Sequence, residues 1–225
     1  MPHPRRPGVS LNPLPDPAAF LDPRLDAVAD ALAGEGWLLI EDFVPEALWR
    51  PLAARAVAID DYTPAGVGRG DDWRRAAGIR TDRIRWLDAA NPDDASWLDA
   101  MEQLRLAING ALFMGLFEYE AHFASYAPGA YYRRHLDAFR GGGDRLVSTV
   151  LYLNGDWRAG RGGELVLYPA ECPEGILVAP RGGTLAVFLS EEIPHEVLPT
   201  RAPRHSIAGW FRRNRTDSTH LDPAN

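Results

Sequence analysis

From residue 117 onward the chain is cut into short apolar runs by glycine and proline, and this rhythm constrains the fold more than any other feature. Runs rich in Val, Leu, Tyr and Phe fall at 119–127, 131–137, 145–153, 163–168, 175–179, 183–189, 195–198 and 204–212. Each has the length of a strand, turn residues close each one, and no helical period intervenes. Eight strands so spaced predict an antiparallel sandwich or jelly roll.

The first half reads differently. Residues 1–17, "MPHPRRPGVSLNPLPDP", hold six prolines and predict a flexible lead-in. Between 18 and 34, Leu25, Val28, Ala29 and Leu32 recur at helical spacing, with Gly34 placed as a C-cap. "GWLLIEDF" predicts a strand, and "PEALWRPLAARAVAI" a second helix with proline in its first turn. Residues 61–78, rich in Gly and Asp, read as a long mobile loop. A third helix is expected over 96–116, with Ser96 as N-cap and Leu98, Met101, Leu104, Ile108 and Leu112 on one face. The expected fold class is α+β in one domain. It comprises a flexible segment 1–17, a helical support region 18–116 that includes loop 61–78, a β core 117–213 and a tail 214–225.

Composition narrows the function. The 225 residues suffice for a full core, and the net charge of −7 argues against nucleic acid as partner. No apolar run reaches membrane-span length, and Arg5 and Arg6 are not followed by the apolar segment of a secretory signal. The single cysteine, Cys172, fits a reducing cytoplasm. All 24 basic residues are arginine, so Schiff-base chemistry and a P-loop lysine are excluded. An acidic ligand must be held by arginine, whose planar fork suits a carboxylate.

Of six histidines, His3 and His220 fall in tails, and His122 and His205 read as structural strand residues. His135 and Asp137 are two apart in an extended segment, where side chains share a face and can converge on one ion. With a second imidazole they would make the facial triad of non-haem Fe(II) oxygenases. His195, after the apolar run "GTLAVFLS", is the candidate, and Arg204 follows nine residues later.

These residues carry a family resemblance. "HLD", "HEVLPTRAPRHSIAGWF" and "VLYLNGDWRAGRGGELVLYP" resemble the 2-oxoglutarate- and Fe(II)-dependent prolyl hydroxylases, in particular the hypoxia-factor type and its bacterial relatives, over roughly residues 36–213. The resemblance implies a double-stranded β-helix (jelly roll) buttressed by N-terminal helices. It implies His135, Asp137 and His195 as iron ligands and Arg204, rather than Arg201, as the anchor for the distal carboxylate of 2-oxoglutarate. Tyr152 is expected to contact the same carboxylate, with Ser148 on its strand face, Trp210 on the face of Arg204, and Tyr126 near the proximal carboxylate. Arg80, Asp82, Arg145 and Tyr132 are expected to face substrate. The implied reaction is 4-hydroxylation of a prolyl residue in a protein, coupled to decarboxylation of 2-oxoglutarate to succinate and CO2. It uses O2, with ascorbate as an implied auxiliary and an elongation factor as one implied target. A hydroxylase of a free amino acid or small metabolite on the same scaffold is the alternative. "RAGRGGEL" imitates a phosphate loop but reads as a sheet turn, since it lacks lysine and a following helix.

Overall fold

The computed structural model of the chain describes residues 24–66, 78–138 and 143–214. The expected lead-in 1–17, the centre of loop 61–78, residues 215–225 of the tail, His3 and His220 lie outside the described residues.

Helix α1 (Arg24–Ala33) buries Val28, Ala29 and Leu32, as its spacing requires. Strand β1 (Trp37–Ile40) follows, then α2 (Glu46–Ala58), β2 (Thr63–Pro64), β3 (Arg83–Trp86) and α3 (Pro92–Leu112). The β core runs β4 (Leu116–Tyr126), β5 (Tyr132–His135), β6 (Arg145–Tyr152), β7 (Leu165–Leu167), β8 (Ile176–Val178), β9 (Leu185–Leu189), β10 (His195–Val197) and β11 (Arg204–Arg213). All eight expected strands are present.

Three features depart from expectation. Helix α3 ends at Leu112 and not at 116, because Phe113 turns to φ 53° and the chain enters β4 at Leu116. Helix α3 starts four residues before Ser96, because the Asn91 side chain accepts from the backbone N–H groups of Asp93 and Asp94 while Pro92 fills the first turn. The Ser96 hydroxyl instead donates back to the Pro92 carbonyl inside the helix. The expected loop 61–78 also contributes a short strand, β2, paired with β3.

The strands form an antiparallel seven-stranded sheet, β1-β9-β6-β11-β4-β3-β2, and a four-stranded sheet, β5-β10-β7-β8. Three strands of the larger sheet therefore come from the helical half. Alternation assigns its two faces. Phe123, Val147, Leu151, Val187, Ile207 and Phe211 point to the helices and pack with Leu52, Trp97, Met101, Leu104 and Ile108. The residues between them, including Ala124, Tyr126, Tyr152, Ala186 and Phe188, point to the smaller sheet and meet Leu165, Leu167, Val178 and Val197. The helices thus close one face of the large sheet, leaving the space between the sheets for a site.

Candidate active site

Strands β5 and β10 pair so that His195 lies directly opposite His135, with ring centres 4.2 Å apart. Strand β5 ends at His135, so Asp137 reaches the pair from the turn beyond it and not as the next residue on one strand face. The ligating atoms of His135, Asp137 and His195 all lie within 4.8 Å of one another. Nε2 of His135 is 3.5 Å and Nε2 of His195 3.6 Å from the two Asp137 oxygens.

The hydrogen bonds around this trio set its chemistry. The Nδ1–H groups of His135 and His195 donate to the carbonyls of Arg133 (2.8 Å) and Ile193 (3.1 Å). A carbonyl can only accept, so the proton sits on Nδ1 and the Nε2 lone pair is directed at the trio. Burial pushes the His195 imidazole down to about 4, against the opposing pull of the Asp137 carboxylate, so a neutral ring is presented at physiological pH. Burial disfavours the Asp137 carboxylate, yet the neighbouring His195 and His135 rings and Arg145 outweigh it and hold the carboxyl well below its usual range. Asp137 Oδ2 also accepts from Ser148 Oγ at 2.7 Å, and Ser148 is 2.8 Å from the buried Ser190 hydroxyl. Two imidazoles with their Nε2 atoms turned inward and one carboxylate are the donor set that suits Fe(II) with open positions.

The trio opens on a cavity with about 490 Å³ of empty space, part of it open to solvent, between the sheets. At its deep end lies Arg204, 2% exposed. Its Nε–H donates to the Gly163 carbonyl (2.9 Å) and its Nη1–H to Ser206 Oγ (3.0 Å). Its guanidinium carbon lies 4.6 Å from the Tyr126 ring centre and 5.4 Å from that of Tyr152. Gly163 adopts φ +76°, and a side chain there would stand 3.1 Å from Arg204 Cδ, so the glycine-rich turn is shaped to admit this arginine. Among the described residues Arg204 has no carboxylate partner. The Tyr152 hydroxyl beside it is buried without a hydrogen-bond partner, and burial drives that phenol well above its ordinary value. A buried cation lacking an anion, next to an unused hydroxyl donor, fits an incoming carboxylate. The alternative anchor, Arg201, is exposed and donates to the Gly160 carbonyl (3.3 Å).

The remaining expected residues divide. Arg80, Tyr126, Tyr132 and Trp210 line the cavity. Tyr132 stacks on His135, and burial lifts its phenol to about 12. Ser148 is fully buried with its hydroxyl committed to Asp137, a second contact of that carboxylate and not part of the cavity lining. Asp82 is 2% exposed and bound fork-to-fork by Arg80, so it cannot meet a substrate from outside. Arg145 pairs with Glu120 (2.7 Å) and lies 3.5 Å over the Trp210 ring. Sequence reasoning missed Ser190 and treated His122 as merely structural. His122 is buried between Trp86 and Trp210 and lines the cavity, and only its inward parity on β4, shared with Ala124 and Tyr126, hinted at this.

Two antiparallel sheets with a 2-His-1-carboxylate cluster and, between them, a buried arginine that has no carboxylate partner among the described residues fit a class of iron-dependent oxygenase site. Residues 121–212 match the 2OG-Fe(II) oxygenase superfamily. A prolyl-4-hydroxylase of Pseudomonas putida superposes with TM-score 0.75 at 46% identity, covering 84% of this chain and 98% of that one. The Trichoplax adhaerens prolyl hydroxylase, solved with a hypoxia inducible factor peptide fragment, superposes equally well (TM-score 0.75) at 24% identity, covering 84% and 88%. Human Egl nine homolog 1 is 28% identical over 207 residues, 87% of this chain and 48% of that protein. The chain thus spans about half the length of that human relative. The chain belongs to the 2OG-Fe(II) oxygenase superfamily and is similar to its prolyl hydroxylases; the cofactors of that family are Fe(II), 2-oxoglutarate and O2. No helix among the described residues is long and apolar enough to cross a membrane.

Proposed function

We propose that this chain is a prolyl 4-hydroxylase acting on a prolyl residue within a protein or peptide, with 2-oxoglutarate decarboxylated to succinate and CO2. The observation that carries the reading is the placing of Arg204, a buried cation with no carboxylate partner among the described residues, in one cavity with the His135–Asp137–His195 trio. In this reading the trio holds Fe(II), and Arg204 with the Tyr152 hydroxyl holds the distal carboxylate of 2-oxoglutarate. Iron and keto acid together supply the oxidising chemistry that places one oxygen atom of O2 into a C–H bond.

The chain's own groups do the rest. Arg204 fixes the plane of the co-substrate carboxylate, since its guanidinium cannot turn away from the Gly163 carbonyl and the two tyrosine rings. The Nδ1 hydrogen bonds keep both imidazoles aimed at one point, and Ser148 keeps Asp137 from rotating out. Trp210 offers an apolar surface to a pyrrolidine ring, while the Arg145–Glu120 pair holds Trp210 in place. The name of the 46%-identical Pseudomonas putida relative supports proline as the target. An elongation factor as substrate and a cytoplasmic location complete the reading, the first from the family resemblance and the second from the free Cys172.

The test is mass spectrometry of a cell lysate treated with the purified protein, Fe(II), 2-oxoglutarate and ascorbate. The expected result is the gain of one oxygen on proline in a protein, identified as 4-hydroxyproline. Oxygen gained only by a free amino acid or metabolite would replace this reading with the alternative. Absence of 2-oxoglutarate turnover would overturn both.

A further inference from the structure

Four side chains from two chain segments stand in one column that ends on a proposed metal ligand. The Asp82 carboxylate is bound by Arg80 through Nε (2.8 Å) and Nη2 (2.6 Å), with the Asp82 side chain 0% and the Arg80 side chain 11% exposed. The Arg80 guanidinium carbon lies 4.2 Å from the Tyr132 ring centre. The His135 ring lies 3.6 Å from the same centre, at 14° to the Tyr132 plane. Two flat groups this close to one ring cannot share a face, so Tyr132 is held between guanidinium and imidazole. The main chain supports the column: Arg80 bridges Tyr132, Arg133 N–H donates to the Ile79 carbonyl (2.8 Å), and Thr81 N–H donates to the Tyr131 carbonyl (3.1 Å). Segment 79–82 and the start of strand β5 are thereby locked together, ahead of His135 at the strand's end.

We propose that Asp82 and Arg80 are positioning residues for His135, acting through the Tyr132 ring, and are not the substrate-reading pair that their sequence position implies. The inference rests on the reading of His135 as a metal ligand. Both Asp82 oxygens are engaged by Arg80, whose remaining Nη1 faces the Gly66 carbonyl at 3.4 Å, so neither residue keeps a strong group free for a peptide. What the pair does hold is a plane. The Nδ1 bond to Arg133 fixes one point of the imidazole but leaves rotation about that bond, because the terminal torsion of histidine is broad. A stacked ring under constant pressure from a buried ion pair removes that freedom. Outer partners that orient metal-bound imidazoles typically govern affinity by about 10–100-fold.

The test reads metal binding without turnover. Co(II) is titrated calorimetrically into the metal-free protein, and the visible absorption of the bound ion is recorded. Tyr132→Leu is expected to weaken Co(II) binding about 10–100-fold and alter the spectrum, while Tyr132→Phe, which keeps the stack, restores both. The double variant Arg80→Leu/Asp82→Leu leaves no buried charge unpaired, and it should weaken binding similarly. Combined with Tyr132→Leu it should add almost nothing, because the groups act in series. Where the double variant fails to fold, Tyr132→Leu against Tyr132→Phe decides alone. Wild-type Co(II) affinity and spectrum in Tyr132→Leu would overturn the positioning role, provided His135→Ala abolishes binding. Undiminished binding in His135→Ala would instead sink the ligand assignment and this inference with it.

Discussion

Replacing Arg204 by methionine separates the needs of the fold from those of the co-substrate. Methionine keeps the length and the apolar stem but removes the charge. In the ligand-free protein the change strands the Gly163 carbonyl, at a cost of about 1–3 kcal/mol. Against this, it removes a guanidinium that is 2% exposed and lacks a carboxylate partner among the described residues, whose desolvation costs several kcal/mol. The two effects offset, so the apo melting temperature should move by only a few degrees, at roughly 2–4 °C per kcal/mol for a chain of this size. The co-substrate sees the opposite. Loss of one partner of a buried charge pair costs about 2–5 kcal/mol, a roughly 30- to 4,000-fold rise in the 2-oxoglutarate dissociation constant. The assay is thermal unfolding with Mn(II), which binds without turnover, and 2-oxoglutarate at a hundred times its wild-type dissociation constant. Wild type should gain about 5–11 °C. Arg204→Met should gain no more than about 3 °C at that concentration, and Arg201→Ala, altered at an exposed site, should behave as wild type. An undiminished shift in Arg204→Met, or its loss in Arg201→Ala, would refute the assignment of the anion site.

Three further outcomes are expected. His135→Ala and Asp137→Ala should each abolish 2-oxoglutarate decarboxylation, followed as succinate release; normal turnover in either would remove it from the ligand set. Tyr152→Phe should raise the 2-oxoglutarate KM about tenfold, for one hydrogen bond to a charged group, without lowering apo stability, because the hydroxyl has no partner to lose. His122 is held down to about 4 by burial, with Arg80 adding to the effect, against 6.5 unfolded. The unfolded chain therefore binds the extra proton, and the neutral ring's contribution is complete above 6.5 and fades as pH falls towards 4. His122→Phe, packed between the same tryptophans, should flatten the fall in unfolding free energy, read from urea titrations, over that window by up to about 3 kcal/mol. Parallel curves for the two proteins would contradict this origin of the acid sensitivity.

Much of the β core was legible because punctuation and pattern coincide there. Each expected strand from 119–127 to 204–212 meets an observed one within a few residues, since Gly and Pro bound the runs and alternation sorts the large sheet's two faces. What escaped was non-local. Nothing in "GWLLI" says that β1 pairs with β9, almost 150 residues away, or that β2 and β3 extend the sheet beyond β4. The start of α3 was written in Asn91-Pro92, yet Ser96 nearer the apolar stripe drew the assignment. In the site, the His-x-Asp pair and the distal histidine were visible as spacing. Arg80 and Asp82 were not visible as a unit, because alternating charges on a strand look like a solvated surface until Tyr132, some 50 residues on, covers them. Ser148 was seen, but its commitment to Asp137 depends on a turn that periodicity cannot describe.

Both imidazoles of the trio are oriented by carbonyls two residues before them in their own chain segments. A main-chain oxygen survives every point mutation. The exposed position 133 can therefore change side chain without disturbing which nitrogen of the His135 ring carries its proton, while Ile193 is constrained only by its own packing in the core. Evolution can redraft the exposed surface at Arg133 while the metal-facing tautomers are inherited unchanged.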